Sequence, residues 1–154
     1  MTLSNTTTRR TTARRLPRGY AALDAFLGTK LQRTLCNNTI AERGDLNTWG
    51  TPGIRSRIDV RLHATVIATF WSDGRVRLNS GGWRTVTTKA RINALLPDGM
   101  PRLFQEKREW YFEADFGTGV AIVEFEDGMV LESQNAPGAR WAIVRPSNEK
   151  GGTN

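Results

Sequence analysis

The chain has 154 residues and a net charge of +7, and it contains a single cysteine, Cys36. This length suits one domain whose core needs neither disulfides nor a metal, and one cysteine excludes an intrachain disulfide. No apolar run approaches the ~20 residues of a membrane-spanning helix. The first residues lack the apolar stretch of a secretory signal, so we expect a cytoplasmic protein that does not act at a membrane.

Positive charge is concentrated toward the N-terminus. Residues 1–18 contain five arginines and no acidic residue, whereas residues 92–154 contain six basic and ten acidic residues. A segment with so few apolar residues cannot offset the entropy lost on ordering, so we predict a flexible basic arm over residues 1–18. We predict a single strand-rich globular domain over residues 19–145 and a disordered tail over residues 146–154.

The first half of the domain is predicted to contain a helix followed by strands. Residues 19–27 carry an apolar stripe at helical spacing, and Gly28 suits the end of that helix. Residues 29–38 are ambiguous between helix and strand. From Ile54 apolar and polar residues alternate, which is typical of a half-buried strand. Asp73-Gly74 between two further apolar runs predicts a hairpin.

The second half is predicted to add one more helix and several strands. Thr87 or Thr88 is expected to cap a helix that carries an apolar stripe and that Pro97 ends. Five short apolar runs follow and predict antiparallel strands. The sequence of residues 122–133 is similar to that of residues 67–80: an apolar run with Phe is followed by Asp-Gly and then by Val and Leu. Each segment predicts a hairpin around its Asp-Gly pair. The expected fold is α+β, mainly antiparallel β: a meander or small barrel-like sheet of about eight strands with two short helices.

Residues for catalysis are not grouped in any pattern that we recognise. The chain contains no glycine-rich phosphate loop and no nucleophile elbow. His63 lies at a strand end, and Glu124 and Glu126 lie two residues apart, a spacing that is ordinary on one face of an antiparallel sheet. We therefore predict no enzymatic activity, no catalytic residue, no metal and no cofactor, and leave open a chemical role for these three residues.

Arginines recur on predicted strand faces. Arg55, Arg57 and Arg61 share one face, and Arg75 and Arg77 share a neighbouring one. Like charges on one sheet face repel unless an anion binds there, and arginine matches phosphate through paired hydrogen bonds. The sequence therefore predicts a phosphate-binding surface. The alternative is that these arginines pair with the acidic second half, within the chain or between subunits.

Aromatic residues extend this prediction. Trp71 and Trp83 are suited to stacking on a base, although Trp83 follows two glycines in a loop that can present it to solvent or turn it into the core, and we expect the core. The predicted nucleic-acid-binding residues lie in the arm, on the strands and in the segment after them: Arg9, Arg10, Arg14, Arg15, Arg18, Arg55, Arg57, Arg61, Arg75, Arg77, Trp83, Arg84, Lys89 and Arg91.

One segment resembles a known group of proteins. LHATVIATFWSDGRVRLNSGGWRTVTTKARINALLP, residues 62–97, resembles a segment of small uncharacterised proteins of tailed bacteriophages, in which LH-x-T is followed by LNSGGW-x-T-x-TTK-x-RIN. The match covers roughly a quarter of the chain. It implies a phage origin, and a protein of the host cytoplasm or the virion. It implies no activity and no site residue.

The leading hypothesis is a phage accessory protein that binds DNA or RNA without catalysis, through the arm and the basic sheet face. The second is a host-directed or anti-defence protein that binds a host protein or a small nucleotide. The third is a minor virion or assembly protein, in which the basic arm and the acidic half serve assembly.

Overall fold

A computed structural model describes residues 15–44, 56–115, 120–133 and 141–144. The predicted arm up to residue 14 and the predicted tail from residue 146 lie outside these ranges. The described residues form two helices, α1 (Gly19–Leu27) and α2 (Val86–Leu95), and ten strands. The strands are β1 (Gln32–Cys36), β2 (Thr39–Arg43), β3 (Arg57–Leu62), β4 (Thr65–Trp71), β5 (Val76–Leu78), β6 (Arg102–Glu106), β7 (Glu109–Asp115), β8 (Val120–Glu124), β9 (Val130–Ser133) and β10 (Trp141–Val144).

The strands form two antiparallel sheets. The larger sheet has the order β1-β2-β3-β4-β5-β9-β10, and the smaller has the order β6-β7-β8. The first five strands are a meander, and β9 and β10 return to its free edge after the chain has passed through α2 and the small sheet. Within the described residues, neither sheet closes on itself. The predicted α+β, mainly antiparallel fold is confirmed in its meander form, with ten described strands where about eight were expected.

The hydrophobic core lies on one face of the large sheet. In β3 the alternation is complete: Ile58, Val60 and Leu62 are buried, and the residues between them are half-exposed. Period-two patterning of this kind places one face of a strand in the core and the other in solvent. Both helices and the small sheet bury residues in the same cluster, among them Leu23, Leu27, Ile92, Leu95, Trp110, Phe112 and Phe125.

The cap of helix α2 lies two or three residues before the predicted caps. Thr85 has an extended backbone, and its Oγ1 accepts a hydrogen bond of 3.1 Å from the N–H of Thr88. Thr85 therefore caps the helix, and the prediction of Thr87 or Thr88 is wrong because both lie inside the first turn. The helix ends at Leu95, and Leu96 is extended, as the residue before a proline usually is.

The C-terminal end of α2 is closed by two arginines. Arg18 Nη1 donates hydrogen bonds of 3.1 Å to the carbonyls of Asn93 and Leu96. Arg102 Nη1 donates bonds of 3.3 Å to the carbonyls of Leu96 and Pro97. Burial, and then the neighbouring Arg18, lower the pKa of Arg102, against the raising effect of Asp98. Cations suit the negative end of a helix dipole. Arg18 was predicted in the arm, but its hydrogen bonds to α2 attach it to the domain.

The two Asp-Gly turns have different structures. Asp73-Gly74 connects β4 to β5 in the predicted hairpin. Asp127-Gly128 does not form a hairpin, because β8 belongs to the small sheet and β9 to the large one. The N–H of Gly128 donates a 2.8 Å hydrogen bond to the carbonyl of Leu78. This turn therefore carries the chain between sheets, and the predicted second hairpin is wrong.

Candidate nucleic-acid interface

The face of the large sheet that is turned away from the core carries the predicted strand arginines. Strand register places Arg57 opposite Trp71, and Asp59 opposite Thr69. Arg77 lies opposite Thr69 on the next strand. We call this face, from β2 to β5, the outer face. It brings Arg57, Arg61 and Arg77 onto one surface, as predicted, whereas Arg55 lies outside the described residues.

Acidic residues neutralise part of the outer face. Arg57 Nε lies 3.5 Å from Asp59 Oδ2, and Arg61 Nε lies 3.3 Å from Glu42 Oε1. Asp59 also accepts a 2.8 Å hydrogen bond from the hydroxyl of Thr69. Both acids belong to the basic first half of the chain, and not to the acidic second half that we expected as the alternative partner. The outer face thus has mixed charge, which removes the repulsion on which its prediction rested.

The other two arginines of the outer face, Arg75 and Arg77, lie close to the ring of Trp71. The Arg75 guanidinium lies 5.0 Å from the Trp71 ring centroid, and the Arg77 guanidinium lies 5.6 Å from it. Arg75 is held there by a 2.7 Å hydrogen bond from its Nε to Asp73. Arg77 is exposed and makes no ion pair with a residue that the structure describes. Among the predicted strand arginines that the structure describes, Arg77 is the one that forms no ion pair with another described residue.

Three predicted cations do not lie on the outer face. They project from the loop before α2 and from α2 itself, which packs against the core side of the large sheet. Arg84 Nη1 lies 2.8 Å from Glu109 Oε2. Lys89 Nζ donates to Gln105 at 3.3 Å, and Arg91 Nε donates to the hydroxyl of Thr39 at 3.2 Å. Arg15 is exposed, whereas Arg9, Arg10 and Arg14 lie outside the described residues.

Trp83 projects from the surface and is not in the core. Its side chain is 69% exposed, so the expectation of a core position is wrong. Gly81 and Gly82 have φ values of +62° and +82°, and the N–H of Trp83 donates a 3.0 Å hydrogen bond to the carbonyl of Ser80. Two successive positive φ angles form a tight turn that glycine accommodates best. This turn directs the indole outward.

The residues that we left open for chemistry are not gathered. His63 is exposed in the β3–β4 turn with a φ of +53°. Glu124 ends β8, and Glu126 follows the buried Phe125. Within the described ranges, no group of three or more His, Cys, Asp or Glu side chains is arranged to hold a metal ion. Those ranges also contain no helix long and apolar enough to cross a membrane.

A family model matches residues 38–132, which is more than half of the chain. The chain belongs to the Kyanoviridae Gp96 protein family. The phage origin that the sequence resemblance implied is thereby confirmed. No curated protein and no solved structure matches the chain.

The part of the chain that matches the Gp96 family extends from the residue before β2 into β9. It includes Trp71, Arg77 and Trp83, and it leaves out the arm arginines and α1. The family description states no activity, so the Gp96 membership identifies the origin of the chain and no more.

Sequence reasoning missed a cleft beside Trp83. Thr65 of β4 and Thr87 of α2 line it together with the β3–β4 turn. These residues are more than twenty positions apart, and no local pattern indicates that they meet. The only available signal was the run of hydroxyl residues around α2, which we interpreted as helix caps.

Proposed function

We propose that the protein is a phage accessory protein that binds nucleic acid without catalysis, chiefly through phosphates. The observation that supports this proposal is that most of the excess positive charge lies outside the described residues. The described residues hold all but seven of the 22 basic residues and all but two of the 15 acidic residues. The described part is therefore close to balanced, and most of the +7 belongs to the rest of the chain, including Arg9, Arg10 and Arg14.

Phosphate binding needs cations whose charge is not already neutralised. A bound cation displaces the counterions condensed on the nucleic acid, and this release favours binding regardless of sequence. Arg77 meets the requirement on the outer face, because it is exposed and has no ion pair with a described residue. Its guanidinium can donate two parallel hydrogen bonds to one phosphate. We assign phosphate contacts to the N-terminal arginines that precede Arg18, and to Arg77.

The ion-paired arginines have a different role in this proposal. Arg57 and Arg61 lie against Asp59 and Glu42, so a phosphate would have to displace a carboxylate to reach them. Arg84 is paired with Glu109 in the same way. We assign these three to the stability of the fold, and the binding surface is smaller than the sequence alone indicated.

A host protein is the second candidate partner. Trp83 is 69% exposed and Val86, three residues later, is 74% exposed. Exposed aromatic side chains are enriched among the residues that dominate protein–protein binding. A host-directed protein would use this pair as its contact, and it would bind nucleic acid no better than other proteins of equal charge.

The test is direct binding of the full-length chain to labelled single-stranded and duplex oligonucleotides, measured by fluorescence anisotropy. Low salt, about 50 mM, favours phosphate contacts, and we expect binding of DNA and RNA there with little dependence on sequence. Sizing of the same sample separates binding from self-association. Absence of binding at that salt would contradict the proposal and favour the host-protein candidate.

A further inference from the structure

A cleft of about 550 Å³ lies on the side of the molecule where α2 begins. It is bounded by the β3–β4 turn, the loop before α2 and the first turn of that helix. Leu62 and Ile67 provide apolar walls, and Trp83 forms one side. Among the described residues of the lining, His63 is the one titratable residue. Its volume falls within the range of small-molecule sites, roughly 300–1,000 Å³.

Trp83 is presented at this cleft by a fixed loop. Both the N–H and the hydroxyl of Ser80 donate 2.7 Å hydrogen bonds to Asp127, and the N–H of Gly81 donates a 2.8 Å bond to the side chain of Asn79. The N–H of Thr85 donates to the carbonyl of Trp83 at 2.9 Å. The backbone that carries the exposed indole is therefore held in place, and an exposed flat aromatic face is suited to stacking on a nucleobase.

The cleft also offers hydroxyl groups that the fold does not use. The hydroxyls of Ser80, Thr85 and Thr88 are engaged in hydrogen bonds within the loop and the helix cap. Thr65 and Thr87 line the same cleft, and their side chains have no hydrogen-bond partner among the described residues. Hydroxyls can both donate and accept, so these two fit the mixed donors and acceptors of a base edge or a sugar.

A cation that forms no ion pair with a described residue lies one helical turn beyond Thr87 and Thr88, which line the cleft. Arg91 follows Thr87 by one helical turn, and its Nε donates to the hydroxyl of Thr39 at 3.2 Å. Thr39 is paired in register with Leu62, which lines the cleft. Arg91 is half-buried and forms no ion pair within the described part of the chain. A guanidinium in this position suits a phosphate group.

We infer that this cleft binds one nucleotide unit, with its base stacked on Trp83 and its phosphate at Arg91. The inference deepens the proposed function, and it rests on that function where the nucleotide belongs to a nucleic-acid strand. The same chemistry is offered by an unpaired nucleotide of a single strand and by a free mononucleotide. A duplex does not offer it, because its bases are stacked on one another.

The experiment measures anisotropy of a labelled single strand of about 12 nucleotides, a length within the range of known site sizes, bound to the full-length protein. Trp83→Ala removes the aromatic face, Trp83→Phe keeps a smaller one, and Arg91→Gln removes the cation. Val86→Ala and Lys107→Gln are matched controls, because both residues are exposed and neither lines the cleft. Far-UV circular dichroism and thermal unfolding verify that each variant is folded.

We expect Trp83→Ala to weaken single-strand binding by about tenfold or more, Trp83→Phe by much less, and the controls not at all. Mononucleotides are then added as competitors: displacement identifies a free nucleotide as a sufficient ligand, and no displacement identifies the strand. Wild-type affinity in both Trp83→Ala and Arg91→Gln would overturn the inference while leaving the proposed function intact. Mononucleotide binding that depends on Trp83, without strand binding, would overturn the proposed function and keep the cleft. Binding of neither ligand would overturn both.

Discussion

Asp127 accepts two hydrogen bonds of 2.7 Å from Ser80, one from its backbone N–H and one from its hydroxyl. The two residues are 47 positions apart. Asp127 belongs to the turn that carries the chain from the small sheet to the large one, and Ser80 begins the loop that presents Trp83. Ser80 is 1% exposed, so its polar groups have little access to water. One carboxylate thus joins the two sheets and fixes the cleft loop.

Asp127→Ala should destabilise the fold by about 2 kcal/mol, because it leaves a buried N–H and a buried hydroxyl without an acceptor. Asp127→Asn keeps one acceptor oxygen and should lose less. Urea unfolding followed by circular dichroism measures the difference. Equal midpoints for Asp127→Ala and the wild type would show that the Ser80 contact contributes nothing to stability.

The glycine turn before Trp83 separates two causes of strain. Gly81 and Gly82 both have positive φ, but a Cβ on Gly81 would lie 2.5 Å from Cγ2 of Thr65, whereas one on Gly82 would meet nothing within 4 Å. Gly82→Ala should therefore cost about 1 kcal/mol from backbone strain alone, and Gly81→Ala should cost more. Thr65→Ser removes the methyl group, so the double variant should recover part of the loss in a mutant cycle. Equal effects of both glycine variants would contradict the close contact.

Arg18 and the segment before it should differ in their effect on stability. Arg18 donates to two carbonyls at the end of α2, and Leu16 is 9% exposed. Deletion of residues 2–14 leaves both residues in place, and we expect an unchanged melting temperature. Arg18→Ala should destabilise by about 1–2 kcal/mol through loss of these bonds and of the charge at the helix end. A large loss on deletion of residues 2–14 would show that the arm packs on the domain.

Local pattern was enough to predict elements whose determinants are close in sequence. Alternation in β3 identified its buried face, Asp73-Gly74 identified the first hairpin, and the stripe before Gly28 identified α1. The same reasoning predicted a hairpin at Asp127-Gly128 that does not form. A turn residue fixes the backbone locally, but it does not select the strand that pairs with the next segment. That selection depends on the free edge of β5, which is more than forty residues away.

Whether an arginine of the outer face is neutralised depends on contacts between neighbouring strands, which the sequence does not show. Arg61 lies within reach of Glu42 only because β2 and β3 pair in the observed register. Composition places both residues in a basic half of the chain, and it cannot indicate that they meet. Trp83 was misassigned for a similar reason: two glycines allow either direction, and the Ser80–Asp127 contact that decides between them joins distant segments.

Charge reversal should separate free arginines from paired ones. Arg77→Glu should weaken nucleic-acid binding and make the salt slope shallower by about 1, with little change in stability because its charge is exposed and unpaired among described residues. Arg61→Glu places a second carboxylate beside Glu42, so its main effect should be on stability, about 1 kcal/mol. The reverse pattern would show that paired arginines carry the binding.

The dependence of affinity on salt tests the central claim most directly. Each phosphate contact on duplex DNA contributes about −0.9 to the slope of log affinity against log salt concentration. If about five phosphates are contacted, the full-length protein should give a slope of roughly −4.5. Deletion of residues 2–14 removes Arg9, Arg10 and Arg14, and it should make the slope shallower by up to about 2.7 and weaken binding to all sequences alike. A slope near zero, or one that this deletion leaves unchanged, would contradict phosphate binding by these arginines.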